Sequence, residues 1–354
     1  MRALVTGGAG FAGRHLLAAL RAAGHEAHSA DLHGGGAAGI VAPEVELPGA
    51  PGAQSGVGAV GAAAGTPGAE RAAAASSHVV HHRLDVTDGA ACRALVGEVR
   101  PDWLFHLAGF AHVSKAEQVP DACLAVNFGG ARAVLAGCLA ASPRTTVLLV
   151  SSAEVYGRVD EAALPVAEDA PLAPATIYAV SKAAAEMSAH HARAQGLAVT
   201  ILRPFNHIGP GQSADFVASA FAQQVARIEH GLQEPVLRVG NLEARRDLSD
   251  VRDTVAGYLA AAGGGRAGAT YNVCSGRAVA VRELLETLLS LSSADVRVER
   301  DPARMRVLDM PVFLGSGERL ARDTGFRPRR ALRDTLADVL DYFRASAALE
   351  RARR

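Results

Sequence analysis

Residues 2–13, Arg2-Ala3-Leu4-Val5-Thr6-Gly7-Gly8-Ala9-Gly10-Phe11-Ala12-Gly13, decide the fold. Arg2 to Thr6 is a short, mostly apolar run that predicts a buried strand. The glycines after it lead into a helix whose apolar face carries Leu16, Ala19 and Leu20. They stand at GxxGxxG spacing, and each has its own physical use. Gly7 permits a tight turn, Gly10 lets the backbone approach a pyrophosphate, and Gly13 allows the helix to pack closely. The helix N-terminus then offers unpaired N–H groups to phosphate oxygens, with Phe11 and Ala12 as flanking contacts. Glycine turns also occur for purely structural reasons; the position between strand and helix is what points to a dinucleotide.

Working outward, a second strand over Glu26 to Ala30 runs into Asp31, 18 residues beyond Gly13. A carboxylate there accepts both hydroxyls of an adenosine ribose and repels a 2′-phosphate, which favours NADH over NADPH. Arg14 and His33 stand near enough in sequence to moderate that preference. From 34 to 77 the chain is rich in Gly, Ala and Pro and nearly devoid of aromatic or long apolar residues, the composition of a flexible insertion. Alternation resumes with a strand at Val79–Leu84, a helix at Ala90–Val99 and a strand at Trp103–Leu107. Strand, helix, strand order predicts parallel pairing, hence an α/β fold with a doubly wound Rossmann sheet. At the strand ends, Asp85 and Val86 are placed to meet an adenine, and Leu107 and Ala108 to line the dinucleotide. Val113-Ser114-Lys115 is expected in a loop, where ligands of open α/β sheets gather. A long helix, Asp121 to Ala141, follows, and Asn127 inside it reads as structural.

The chain has 354 residues, 49% of them apolar and 20% charged, enough for a large core. Lys plus Arg equals Asp plus Glu at 36 each, so no global basic field favours nucleic acid or an acidic membrane surface. The four cysteines lack metal or disulfide spacing, and His81-His82 and His190-His191 lack a third ligand, so no metal is expected. With no charged-then-apolar leader and no apolar run of spanning length, the expected location is the cytoplasm.

A second cluster lies further on. Thr146 to Val150 predicts a fifth strand ending in Ser151-Ser152-Ala153-Glu154-Val155-Tyr156-Gly157, and Ile177 to Gln195 predicts a helix. That helix presents Tyr178 and Lys182, four residues apart, on one face. A phenol beside a fixed cation is a proton-delivery pair, because the ammonium stabilises the phenolate and pulls the tyrosine toward working pH. An isolated YxxxK is equally the surface of an amphipathic helix. Joined to Gly7xxGly10xxGly13 and to Ser152 before Tyr156-Gly157, it resembles the extended short-chain dehydrogenase/reductase family, in its sugar-nucleotide-modifying branch. The resemblance covers nearly the whole chain apart from the insertion. It implies a catalytic triad in which Ser152 orients a carbonyl, Tyr178 moves the proton, and Lys182 holds the nicotinamide ribose and lowers the tyrosine pKa.

Arg203-Pro204-Phe205-Asn206-His207-Ile208-Gly209-Pro210-Gly211-Gln212 is similar to the substrate loop of GDP-4-keto-6-deoxy-D-mannose reductases. Related GDP-mannose 4,6-dehydratases share Phe-Asn-His but usually continue Glu-Ser-Pro-Arg. The resemblance implies that Asn206 meets the diphosphate sugar, that Ser114 is among the substrate contacts, that Arg246 holds phosphate oxygens, and that Arg306 meets a phosphate or the guanosine side. Arg245 and Arg246 could exchange roles, and Val307 stands where the family often has proline. Glu154 occupies the position of the dehydratases' base, but its neighbour is Ala153 rather than a polar residue, which weakens a dehydratase reading and leaves Glu154 either to support enolisation or to bind a sugar hydroxyl. The expected division is a cofactor-binding domain over 1–203 with the insertion 34–77, and a smaller α/β substrate lobe from 204–246 and 274–354. Residues 247–273 return to the first domain. The resemblance further implies a homodimer through the helices Asp121–Ala141 and Ile177–Gln195, and a small GDP-sugar partner. The activity implied is reduction of GDP-4-keto-6-deoxy-D-mannose to GDP-D-rhamnose by NADH or NADPH. The alternatives are a 4,6-dehydratase or 4-epimerase that retains its NAD, and a non-catalytic regulator that binds NAD(H) or a sugar nucleotide.

Overall fold

A computed structural model describes residues 1–33, 78–304 and 310–353. The 34–77 insertion and Arg306 lie outside the described residues. The chain begins β1 (Arg2–Thr6), α1 (Phe11–Ala22), β2 (Glu26–Asp31), β3 (Val80–Arg83), α2 (Gly89–Val99), β4 (Trp103–His106) and α3 (Val113–Gln118). Next come α4 (Pro120–Leu124) and α5 (Gly130–Ala141), β5 (Thr146–Val150), α6 (Ile177–Ala194) and β6 (Val199–Pro204). The remainder comprises β7 (Asn206–Ile208), α7 (Val217–Glu229), β8 (Val236–Val239), β9 (Arg245–Asp250), α8 (Val251–Gly264), β10 (Thr270–Val273) and β11 (Ala278–Ala280). It ends with α9 (Val281–Ser290), β12 (Arg297–Arg300), β13 (Val312–Phe313), α10 (Glu318–Thr324) and α11 (Leu332–Ala352).

Seven strands form one parallel sheet in the order β10-β6-β5-β4-β1-β2-β3. The order reverses between β1 and β4, and the crevice outside the strands' carboxyl ends at such a point is where open α/β sheets bind ligands. Alternate strand residues face opposite layers. Leu4, Leu104, Val147 and Leu149 pack under α2, α5 and α6 with Val96, Val134 and Ala189, whereas Ala3, Val5, Phe105 and Leu148 pack under α1, α8 and α10 with Leu20, Val255, Tyr258 and Leu320. Because both faces are covered, these strands read as continuous apolar runs. Truncating a core leucine such as Leu104 to alanine costs about 2–5 kcal/mol.

A second core joins α7, α9 and α11 through Phe221, Val225, Leu284, Leu288, Leu336 and Leu340. It lies beside a small sheet in which β9 pairs with β7, β11 and β13, and a two-stranded ribbon of β8 and β12.

Three expectations differ from the structure. Ser114 lies not in a loop but in the first turn of the short helix α3. The long helix starts at Pro120 and contains a π turn at Ala125–Gly129 between α4 and α5. The extra residue of a π turn re-aims side chains, and such turns cluster at functional sites. Contrary to the expectation of no spanning run, Pro120–Ala141 is, at 22 residues, long and apolar enough by length and composition to cross a bilayer. Here it is a packing helix, and Ala131, Val134, Leu135 and Cys138 are buried against the sheet layer.

Candidate active site

The turn after β1 is shaped by missing side chains. Gly7 has φ of +76°, and a Cβ there would lie 2.7 Å from the Ala108 nitrogen; a Cβ on Gly13 would lie 2.2 Å from the Gly7 carbonyl oxygen. Gly10 caps α1 without a side chain, so the first-turn N–H groups have no side-chain acceptor. Phe11 and Ala12 sit half-buried at this end. Asp31 Oδ1 accepts from the Ala9 N–H at 3.0 Å and its Oδ2 accepts from Ser29 Oγ at 2.6 Å, which brings its carboxylate against the glycine turn. Cradle, helix terminus and carboxylate therefore fit the pyrophosphate and ribose of a dinucleotide. Arg14 does not attend Asp31: its Nη2 donates to the Gly211 carbonyl at 3.2 Å. Leu107 and Ala108 are half-buried where they meet the turn. Asp85 is exposed and its Oδ1 accepts from Thr87 N and Oγ1, whereas the Val86 side chain is buried under α5, where a Cβ on Gly130 would meet it.

The second turn of the site follows β5. Ser152 caps a single 3₁₀ turn, its Oγ accepting from the Glu154 N–H at 3.2 Å. Thr176 caps α6 by accepting from Ala179 N at 3.1 Å, and the first two turns of that helix deliver Tyr178 and Lys182. Both are buried, at 9% and 7% exposure, and Tyr178 hydrogen-bonds Ser152. Burial pushes the Tyr178 phenol up to about 12; the Ser152 hydrogen bond opposes this, and the Glu154 charge adds to it. Burial pulls the Lys182 ammonium down to about 8 against Cys123 and Glu186, which raise it. The expected lowering of the tyrosine pKa by Lys182 is thus reversed here. Lys182 Nζ donates to the Val150 carbonyl at 2.9 Å, and desolvation of the phenol dominates.

Asn127, structural by its place in the helix, is carried on the π turn beside this cluster. Its Oδ1 accepts from Phe110 N at 2.8 Å and its Nδ2 donates to Ser181 Oγ at 2.8 Å. A Cβ on Gly109 would lie 2.4 Å from Asn127 Oδ1 and 3.7 Å from Lys182 Nζ, so Asn127 and the triad lysine flank one glycine. The signal available in sequence was an amide inside an otherwise apolar helix, followed by Phe128-Gly129-Gly130. Beneath them His106 is buried, pairs through Nδ1 with Thr6 Oγ1 at 2.8 Å, and is held neutral by burial, which pushes it down to about 3.

The remaining candidate residues lie on separate elements. Ser114 is exposed, Glu154 half-buried on the 3₁₀ turn, and Asn206 exposed at the start of β7. Arg246 is half-buried on β9, with Nη1 donating to the carbonyls of Met310 at 2.7 Å and Arg245 at 2.9 Å, while Arg245 is exposed and reaches the Ala278 carbonyl. His207 stacks on Phe11 with ring centroids 5.8 Å apart, tying the substrate loop to the first helix turn. Lys115 Nζ meets Asp215 Oδ2 at 2.7 Å and joins α3 to the segment before α7. Among the described residues no group of three or more potential ligands could hold a metal.

A glycine cradle at the switch point of a parallel sheet, with a Ser–Tyr–Lys cluster at the neighbouring strand ends, defines a Rossmann-fold oxidoreductase that uses a nicotinamide dinucleotide. The chain belongs to the NAD dependent epimerase/dehydratase family, which matches residues 3–274, and it is an NAD(P)H-dependent oxidoreductase. It is 40% identical over 262 residues to GDP-6-deoxy-D-mannose reductase of Pseudomonas aeruginosa, covering 74% of this chain and 86% of that protein. The structure of RMD from Pseudomonas aeruginosa complexed with NADPH resembles it with a TM-score of 0.76 at 33% identity, over 98% of this chain and 99% of that one. A dTDP-glucose 4,6-dehydratase of an Actinoplanes species is 30% identical over 272 residues, covering 75% of this chain and 79% of the relative.

Proposed function

We propose that this enzyme reduces the C4 ketone of GDP-4-keto-6-deoxy-D-mannose to give GDP-D-rhamnose. The observation that carries the reading is a buried Tyr178 hydrogen-bonded to Ser152 and set four residues from the buried Lys182 on one helix face. When bound, NAD(P)H supplies the hydride to C4. Ser152 Oγ donates to the C4 oxygen, and Tyr178 gives its proton to the same oxygen as negative charge builds there. Hydride and proton together convert ketone to alcohol, and Tyr178 then recovers its proton from solvent. Lys182 steadies the phenolate and the nicotinamide ribose. Asp31, Asp85 and the backbone about Gly7, Gly10 and Gly13 hold the adenosine diphosphate end, while Ser114, Glu154, Asn206, Arg246 and Arg306 meet the sugar nucleotide.

Ala153 supports a reductase over a dehydratase. It is buried among Tyr156, Phe205 and Phe313, so it supplies no second polar group beside Glu154 for loss of a hydroxyl. Absorbance at the nicotinamide band tests the reading, using purified protein, GDP-4-keto-6-deoxy-D-mannose, and NADH or NADPH in parallel. Rapid oxidation of either is expected. No oxidation with a copurified, unconsumed NAD would move the assignment to a dehydratase or epimerase, and binding without turnover would move it to a regulator.

The sheet domain and the α7–α9–α11 core are proposed to divide cofactor and substrate binding along the boundaries 1–203, 204–246, 247–273 and 274–354. A homodimer is proposed through the exposed Val119, Phe128, Val180 and Met187 on α4–α6 and their connections. Light scattering of Met187→Lys, expected to be monomeric, tests it. Four buried free cysteines suit the reducing cytoplasm proposed as its location.

A further inference from the structure

We propose that Glu186 and Arg203 form a positioning unit that locks the Ser152 turn onto the helix carrying Tyr178 and Lys182 and holds a buried carboxylate one helical turn from Lys182. This rests on the reductase reading given above. Glu186 continues the spacing of 178 and 182 by one more turn, so the three side chains share the inner face of α6. Its carboxylate is wholly buried. Oε1 accepts from Ser151 Oγ at 2.5 Å and from Arg203 Nε at 2.9 Å, and Oε2 accepts from Arg203 Nη2 at 2.6 Å. Arg203 Nη1 donates to the Tyr156 hydroxyl at 2.9 Å and to the Glu168 carbonyl at 3.1 Å, and Tyr156 donates onward to Asn272 Oδ1 at 2.6 Å. Both ends of the turn that presents Ser152 and Glu154 are thus tied to one carboxylate–guanidinium pair, Ser151 in front and Tyr156 behind.

Stability alone does not account for such a pair. Burying two charges costs most of what their attraction returns, and apolar residues of similar volume often do as well. What the pair offers is geometry: a two-point guanidinium fork fixes direction as well as distance. It also places a negative charge one turn behind Lys182. The other ionisable groups facing Lys182 are Cys123 from α4, Tyr178 on its own helix and His106 from β4; burial keeps the Tyr178 phenol protonated and His106 neutral. Against desolvation, Cys123 and the Glu186 carboxylate both favour the charged lysine, and Glu186 is the one held in place by a guanidinium fork.

Lysine occurs only at 115 and 182, which makes the charge state of Lys182 directly measurable. Competitive acetylation across pH, read by peptide mass spectrometry with exposed Lys115 as internal control, gives its midpoint. In Glu186→Gln, the expected result is a kcat at least about tenfold lower, a KM for NAD(P)H changed by less than about threefold, and a Lys182 midpoint about one pH unit lower. Should the unpaired Arg203 prevent folding, the charge-free pair Glu186→Gln/Arg203→Gln takes its place with the same expectations. Tyr156→Phe, which cuts one tie without altering charge, is expected to lower kcat and leave the midpoint in place. A folded variant with wild-type kcat and midpoint overturns the proposal. So does a loss of kcat in Glu186→Gln with an unmoved midpoint, since a purely structural role would give that result. A wild-type protein that oxidises no NAD(P)H refutes the reductase reading instead, while the acetylation arm still reports on Glu186.

Discussion

Two turns at the carboxyl ends of parallel strands make this site, and they are built on opposite principles. The Gly7–Gly13 turn after β1 exists because side chains are absent, since added Cβ atoms at Gly7 and Gly13 would sit 2.7 Å and 2.2 Å from backbone atoms. The Ser151–Gly157 turn after β5 exists because side chains are present, and its partners Glu186, Arg203 and Asn272 lie 35, 47 and 116 residues from the groups they hold. The first is a local steric object, broken by adding one methyl group. The second is a long-range polar object, broken by removing one atom pair. A dinucleotide needs close backbone approach, which only glycine permits, whereas proton delivery needs a hydroxyl, a phenol and an ammonium aimed at one point.

The sharpest way to separate the two turns is Tyr178→Phe. It removes the proton donor and leaves the glycine cradle untouched, so kcat should fall by about 10²–10⁴-fold while the dissociation constant for NAD(P)H changes little. Retained turnover would break the mechanism. Gly13→Ala is the converse. The new methyl must displace the Gly7 and Gly8 backbone, an overpacking cost of about 1–3 kcal/mol, or roughly 10–100-fold, expected in cofactor affinity measured by fluorescence titration. The mutant should still show the Ser152–Tyr178–Lys182 cluster intact, as judged by its kcat at saturating NAD(P)H.

The same contrast explains what could be read from the amino-acid order. The glycine turn, Asp31, the first five strands of the main sheet and the Tyr178–Lys182 spacing obey local rules of period and steric need, and they appear where the residues predict them. Asn127 bonds Phe110 N and Ser181 Oγ, the structural role its place in the helix predicts, but the π turn that aims it there is hidden, because Phe128-Gly129-Gly130 alone does not set the extra residue apart from an ordinary helix. Glu186 was equally hidden. Seen along α6 it is one more acid on an Ala-rich helix, and only the folded register brings Ser151 and Arg203 to it. The Tyr178 pKa was misjudged for a related reason: spacing supplies the lysine's proximity, while burial, which decides the sign, belongs to the packed state.

A pH profile sharpens the comparison further, because Lys182, on the helix beside the second turn, titrates in the working range. Lys182 lies below its ordinary value at about 8, so its ammonium is present below that pH and lost above it. Tyr178, raised to about 12, stays protonated throughout. The quantity kcat/KM should therefore be level below about pH 8 and fall roughly tenfold per unit above it. A limb that instead rises with pH would mean that the phenolate is the active form.

The smallest effect is expected at Asp31, where the first turn meets the cofactor's ribose. Its two oxygens already accept from Ala9 N and Ser29 Oγ, so Asp31→Asn keeps an acceptor for the Ala9 N–H and removes the charge. A 2′-phosphate at this half-exposed site would then escape a repulsion of about 1 kcal/mol, roughly fivefold, while the ribose hydroxyls of NADH would lose part of a charge-assisted contact. The ratio of kcat/KM for NADPH to that for NADH should rise by about that factor, read from parallel initial rates. An unchanged ratio would mean that the carboxylate serves only to brace the glycine turn through Ala9. In that case even the polar group nearest the cradle would belong to its steric architecture, and the contrast between the two turns would be wider than drawn here.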